Sequence, residues 1–295
     1  MNGFTPDEAE SARQLLRLAL AEDLGTIGDR TSSTLIPADQ HGSVAVVSRA
    51  AGVLAGLPII TLIAAEFDSS FIVDYLLADG ALVQSGQSVA ILTGTMRSLL
   101  TAERTLLNFL QHLSGVATLT HRYVAEIRGT AATILDTRKT TPGWRRLEKY
   151  AVRMGGGTNH RFGLYDGYLI KDNHLAALGD PSMTVVQAIE RARAARGEEL
   201  IPIEVEVDTL EQLQQVLPLQ PEIVLLDNMS LTELTRAVAL RNQLAPGTKL
   251  EASGGVTLAT VAAIARTGVD RISVGALTHS APALDIGLDY QPRLR

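Results

Sequence analysis

The chain has 295 residues, 46% hydrophobic but only 4% aromatic, with no cysteine and a net charge of −6. This length suits one large or two medium domains, with a core built from Ala, Val, Leu and Ile. The composition excludes disulfides and thiolate metal sites, and its acidity argues against a general nucleic-acid binder.

The start, Met1 to Glu10, is acidic and polar and does not read as a signal peptide. The longest apolar run, Leu57 to Ala65, falls short of the roughly 18 residues that a membrane span needs. The expected location is the cytoplasm, with neither nucleic acid nor membrane as partner.

In chain order, Ser11 to Asp23 reads as a helix, with Leu15, Leu16, Leu18 and Leu20 set among charges. Ser43 to Ser48 is β-rich, Gly52 to Gly56 punctuates it, and Ile59 to Phe67 is an apolar helix. Phe71 to Leu77 and Ser88 to Thr93 read as strands, separated by turn signals at Asp79-Gly80 and Ser85-Gly86. Leu99 to Leu113 has helical spacing. Ser114-Gly115 is expected to break that helix, and Val116 to Ile127 to resume it.

From about Thr130 the pattern becomes rhythmic. Strands are expected at Thr133 to Thr137, Gly167 to Lys171, Ile201 to Val207, Ile223 to Leu226, Lys249 to Ala252 and Arg271 to Val274. Between them lie helical stretches at Met183 to Ala195, Leu210 to Leu217, Leu231 to Leu244 and Leu258 to Arg266. Such alternation indicates a parallel α/β fold. Six strands, rather than eight, support an incomplete α/β barrel.

The strand ends carry the polar residues: Asp136-Thr137-Arg138-Lys139, Lys171-Asp172-Asn173-His174, Glu204/Glu206/Asp208, Asp227-Asn228, Glu251 to Gly255, and Gly275. Any one of these could be a helix cap or a plain turn. Six together point to one cup at the C-terminal ends of the strands, where such barrels hold their active sites. Residues 138–171 hold eight Lys and Arg against two acids, whereas residues 201–256 hold eight acids against three cations. Arg forks suit carboxylates, and acidic side chains suit Mg²⁺ with a phosphate-bearing substrate.

Glu204 and Glu206 share one strand face, so facing inward they need a cation, for which Lys139 and Lys171 are candidates. Ser253-Gly254-Gly255 is expected to present N–H groups to phosphate at the start of a helix over Val256 to Ala265. Gly155-Gly156-Gly157 lacks the strand context of a dinucleotide fingerprint and reads as a flexible active-site loop.

Asp136 to Gly143, Leu147-Glu148-Lys149-Tyr150, Gly155 to Gly157, Asn159-His160-Arg161 and Leu169 to His174 closely resemble the quinolinate phosphoribosyltransferase family. So do Glu103 to Asn108, Ser114-Gly115, Leu226-Asp227-Asn228, Ala252 to Gly255 and Gly275 to His279. Met154 stands where cysteine is often expected. The resemblance implies an N-terminal α/β sandwich over 1–113, completed by about 280–295, and an open, incomplete α/β barrel over 114–279. It also implies a homodimer in which Arg104 enters the partner's site, although by itself Arg104 reads as a surface charge.

By the same resemblance, Arg104, Arg138, His160, Arg161 and Lys171 form the quinolinate pocket, with Thr137 beside them. Lys139, Glu206 and Asp227 take phosphoribosyl pyrophosphate and its Mg²⁺, with Glu206 and Asp227 as metal ligands and Glu204 as a weaker substitute for Glu206. Ser253, Gly254, Gly255, Gly275 and His279 meet the phosphate. The implied activity is decarboxylating phosphoribosyl transfer to quinolinate, giving nicotinate mononucleotide, with Lys139, Glu206 and Asp227 as the catalytic groups. Three alternatives stay open: a related transferase for another acid such as nicotinate, a Schiff-base aldolase using Lys139 or Lys171, and a non-catalytic anion binder.

Overall fold

The computed structural model describes residues 3–67, 71–177 and 185–291. These fall into two compact units: Met1–His121 with Thr140–Gly156 and Ala276–Arg295, and Arg122–Lys139 with Gly157–Gly275. Element labels follow the chain.

The first unit contains α1 (Pro6–Leu24), α2 (Arg30–Leu35), β1 (His41–Ser48), β2 (Gly52–Val53), α3 (Pro58–Phe67), β3 (Ile72–Tyr75), β4 (Leu82–Val83) and β5 (Ser88–Thr95). It also contains most of α4 (Met96–Glu126), then α5 (Arg145–Met154), α11 (Ala276–His279) and β12 (Ile286–Gln291). Its main sheet is antiparallel in the order β12-β1-β5-β3, so the last strand of the chain pairs with β1. β2 and β4 make a separate two-stranded ladder. The core draws on Val44, Val46, Val89 and Leu92 of the sheet and on Leu99, Leu106, Phe109 and Leu110 of α4, all buried.

Three expectations fail in this unit. α1 starts at Pro6, not Ser11, because Thr5 and Glu8 form a reciprocal capping box before it. α4 runs unbroken through Ser114-Gly115. Ser114 is buried, and its hydroxyl accepts from the Ala55 N–H (3.1 Å) and donates to the Ala55 carbonyl (3.2 Å). A Cβ on Gly115 would lie 2.2 Å from the Pro282 carbonyl oxygen, so glycine serves close backbone approach there.

Gly155 is corrected in the same way. It ends α5, is buried, and a Cβ on it would sit 2.4 Å from the Ala117 carbonyl oxygen. It is a packing glycine, not part of a flexible loop.

The second unit contains β6 (Thr133–Leu135), β7 (Tyr168–Ile170), α6 (Asp172–Ala177), α7 (Val185–Arg196), β8 (Ile203–Val207), α8 (Leu210–Val216) and a 3₁₀ turn at Leu217–Leu219. It continues with β9 (Ile223–Asp227), α9 (Leu231–Leu244), β10 (Lys249–Ser253), α10 (Val261–Arg266) and β11 (Arg271–Ser273). Met183 and Thr184, at the start of the expected α7, lie outside the described residues.

The six strands are parallel, in the order β6-β11-β10-β9-β8-β7. The first strand lies beside the last, as in a barrel, and the ring stays open between β6 and β7. Thr158 bridges to Leu135 beside that opening.

Residue parity sets the two faces. Ile203, Val205, Val207, Val224, Leu226, Leu250 and Ala252 are buried, and α7 and α8 pack on β8 and α9 on β10. Their alternates, Glu204, Glu206, Leu225, Asp227, Glu251, Ser253, Arg271 and Ser273, take the opposite face.

Candidate active site

That second face opens into a cavity of about 620 Å³ at the C-terminal ends of the strands. Its lining includes Thr137, Arg138, Lys139, His160, Arg161, Lys171, Glu206, Asp227, Ser253, Gly254 and Gly255. Eleven residues named from sequence thus meet in one place. Gly275, just beyond β11, is not part of the lining. Arg104, exposed on α4, and His279, in α11, belong to the first unit.

Strand order decides which charges come from where. Arg138 and Lys139 follow β6, His160 and Arg161 follow the bridge at the opening, and Lys171 follows β7. Glu206, Asp227 and Glu251 come from β8, β9 and β10, the strands that follow β7 around the ring.

Each side chain is held by its neighbours. Thr137 Oγ1 accepts from the Lys139 N–H (3.0 Å). The fully buried Asp136 accepts from the Asn159 amide (2.5 Å) and the His160 N–H (2.9 Å), which fixes the segment beside β6. Arg161 donates from Nη1 to the Gly167 carbonyl (2.9 Å). Its own burial and the nearby Arg138 draw its pKa below the ordinary arginine value, against the pull of Glu204 and Asp166. Lys171 donates from Nζ to Glu206 Oε2. Of the two lysines considered as a counter-charge, Lys171 is therefore the one paired with Glu206.

The partner beside Glu204 is instead His160. Its Nε2 lies 3.0 Å from Glu204 Oε2 and 3.4 Å from Glu251 Oε1, and Arg271 donates from Nε to Glu251 Oε2 (2.6 Å). Burial, then the charge of Glu251, holds Glu204 above the ordinary carboxylate range. Glu251 stays below that range despite its burial, because His160 and Arg271 face it.

For His160, burial is the largest influence and favours the neutral ring. The two carboxylates outweigh it and pull the imidazole up to about 9. A further contact opposes them: the Arg161 backbone N–H points at Nδ1 from 2.7 Å. A proton on Nδ1 would place two hydrogens between those nitrogens, so this contact decides for a bare Nδ1 and a proton on Nε2.

At the other end of the cavity, the backbone turns tightly. Gly254 (φ 92°) and Gly255 (φ 57°) are both left-handed. A Cβ on Gly254 would meet Asn228 Oδ1 at 2.1 Å. Asn228, itself at φ 53°, donates its N–H to the Ser253 carbonyl (2.9 Å) and its amide to Asp227 Oδ2 (2.6 Å). The expected helix start behind this turn is corrected. α10 begins only at Val261, because Thr257 and Thr260 first close a turn of their own, with the Thr257 N–H bound to Thr260 Oγ1 at 3.0 Å. Phosphate would therefore meet the turn's own N–H groups and not a helix end.

Sequence reasoning counted Asn228 and Glu251 among the strand ends of the cup without giving them a role, and left Ser273 and Arg271 out of the site. The available signal was parity, since Glu251 lies two residues before Ser253, and Arg271 and Ser273 share a face of β11.

Residues 29–114 match the N-terminal domain family of quinolinate phosphoribosyl transferase, and residues 116–289 match its C-terminal domain family. A nicotinate-nucleotide pyrophosphorylase (carboxylating) of Mycobacterium leprae is 49% identical, over 96% of this chain and 98% of that one. A quinolinate phosphoribosyltransferase (decarboxylating) of Nicotiana tabacum is 39% identical, over 95% of this chain and 82% of that one. The solved nicotinate-nucleotide pyrophosphorylase of Francisella tularensis superposes with a TM-score of 0.89 at 37% identity, covering 98% of each chain. With both domain families matched and such relatives over nearly its whole length, the chain belongs to the quinolinate phosphoribosyl transferase family.

Proposed function

We propose that this chain transfers ribose 5-phosphate from phosphoribosyl pyrophosphate to the ring nitrogen of quinolinate, releasing pyrophosphate and CO₂ and forming nicotinate mononucleotide, a step toward NAD. The observation that carries this reading is one cavity lined by cations from beside the barrel opening, by carboxylates from the neighbouring strands and by the Ser253-Gly254-Gly255 turn.

Arg138, Arg161 and Lys171 grip the two carboxylates of quinolinate and aim its nitrogen. The turn takes the 5-phosphate through its N–H groups. Lys139 offsets charge growing on the leaving pyrophosphate. Glu206 or Asp227 stabilises positive charge developing on the ribose carbon. Glycosylation turns the ring into a pyridinium, whose positive nitrogen stabilises the electron pair left on the adjacent carbon as the 2-carboxylate leaves as CO₂, and that carbon then takes a proton from water. Glu206, Asp227 and the Asn228 amide form an all-oxygen donor set, which fits Mg²⁺. Bound there, the ion would neutralise pyrophosphate charge.

Arg104 is exposed on α4, consistent with a homodimer in which Arg104 serves the other copy's site. No helix among the described residues is long and apolar enough to cross a membrane, and the reading is of a cytoplasmic enzyme.

Quinolinate labelled in its 2-carboxylate tests the reaction. Labelled CO₂ should appear in step with pyrophosphate. Pyrophosphate without CO₂, or turnover of nicotinate alone, would identify a different transferase.

A further inference from the structure

At the floor of the cavity, whose lining includes His160 and Glu251, these two pack with Glu204 and Arg271, and the His160 side chain is only 10% exposed. An imidazole has two nitrogens. Here Nδ1 receives the Arg161 N–H at 2.7 Å, and Nε2 faces Glu204 at 3.0 Å and Glu251 at 3.4 Å. Both nitrogens are committed to the protein, and neither remains for a ligand above.

Arg161 depends on this arrangement. Its Nη1 has one carbonyl partner, Gly167, and its Nε is buried with no hydrogen-bond partner among the described residues. The guanidinium therefore points where the backbone at residue 161 sends it. That backbone is held by the His160 ring through Nδ1 and by Asp136, which accepts the His160 N–H at 2.9 Å. The ring in turn is held by two carboxylates, one of them tied to Arg271 at 2.6 Å.

We propose that Glu204 and Glu251 are positioning residues acting through His160, which serves as a strut that sets Arg161 and gives no nitrogen to the substrate. This rests on reading the cavity as a quinolinate pocket. It explains why two carboxylates lie beneath a site for a dianion: they grip the strut, and the guanidinium above meets the acid. Burying such a pair is costly unless each carboxylate has a cationic or N–H partner, and His160 and Arg271 supply these.

The test combines ¹⁵N-histidine NMR with kinetics. The chain has six histidines, and a His160→Gln variant identifies the relevant signals. In the unaltered protein, His160 should show a bare Nδ1 and a protonated Nε2, and saturating quinolinate should leave both resonances in place. Glu204→Leu or Glu251→Leu should shift them and raise the quinolinate KM about tenfold or more, with a smaller change in kcat. Glu204→Gln keeps an accepting oxygen and should bring the KM back toward that of the unaltered protein.

A His160 nitrogen resonance that moves on quinolinate binding would overturn the proposal, and so would a leucine variant with unchanged KM. If the leucine variants fail to fold, the spectrum of the unaltered protein decides. If the unaltered protein does not turn over quinolinate, the pocket reading falls. The tautomer then judges the strut alone, and an Nδ1-protonated ring would refute it.

Discussion

Gly254 and Gly255 are adjacent, both left-handed, and differ in one respect. A Cβ on Gly254 would overlap Asn228, at 2.1 Å from Oδ1, 2.6 Å from Cγ and 3.1 Å from the backbone nitrogen, whereas a Cβ on Gly255 meets nothing within 4 Å. Alanine at either position carries left-handed strain of roughly 1–2 kcal/mol. Only Gly254→Ala adds a clash, which costs about 1–3 kcal/mol in packed surroundings. The gain from restricting the unfolded chain is common to both and cancels. Urea denaturation should therefore find Gly254→Ala less stable than Gly255→Ala by about 1–3 kcal/mol.

The clash also reaches the chemistry, because Asn228 holds Asp227 at 2.6 Å. Gly254→Ala should raise the KM for phosphoribosyl pyrophosphate about tenfold or more while moving the quinolinate KM much less. Gly255→Ala should move the phosphoribosyl pyrophosphate KM less than Gly254→Ala does. Equal stabilities and equal KM values for the two variants would refute the reasoning that this turn is built against Asn228.

Gly115→Ala should destabilise the first unit. Alanine gains about 1 kcal/mol of helix propensity, but the Pro282 carbonyl oxygen 2.2 Å away is backbone and yields poorly, and overpacking of this kind costs about 1–3 kcal/mol. Arg241→Ala should cost about 3 kcal/mol, read by urea denaturation. It strips the Thr248 carbonyl (2.8 Å) of its donor and removes the guanidinium from Asp270 (2.6 Å), and the figure is at the low end because Asp270 keeps the Leu250 N–H (2.8 Å) and its side chain is 33% exposed. Arg138→Ala and Arg161→Ala should raise the quinolinate KM or abolish turnover with circular dichroism unchanged; unaltered kcat/KM in both would reject the pocket assignment. Chelation of divalent ions should abolish turnover, and added Mg²⁺ should restore it; full activity after chelation would remove Glu206 and Asp227 as metal ligands.

The barrel was legible because its strands announce themselves as short β-rich runs, each ending in polar residues. All six expected strands are present, and α9 spans Leu231–Leu244 as read. What stayed hidden depends on long-range contact. Ser114-Gly115 carries the local signature of a break, yet Ala55 and Pro282 put both residues to use inside a helix. α5 hides Glu148 and Lys149 in the core, which no polarity pattern announces. The capping box at Thr5 and Glu8 was written in the sequence, and its geometry, not the leucine spacing, sets where α1 starts. In the site, strand parity placed Glu204 and Glu206 on one face. That one meets Lys171 and the other His160 is decided by neighbouring strands.

Mass spectrometry of one reaction reaches the centre of the account. With quinolinate, phosphoribosyl pyrophosphate and Mg²⁺, the purified protein should yield nicotinate mononucleotide, and omitting any of the three should stop it. Failure to form that product from all three, in a folded sample, would contradict the assignment of the cavity.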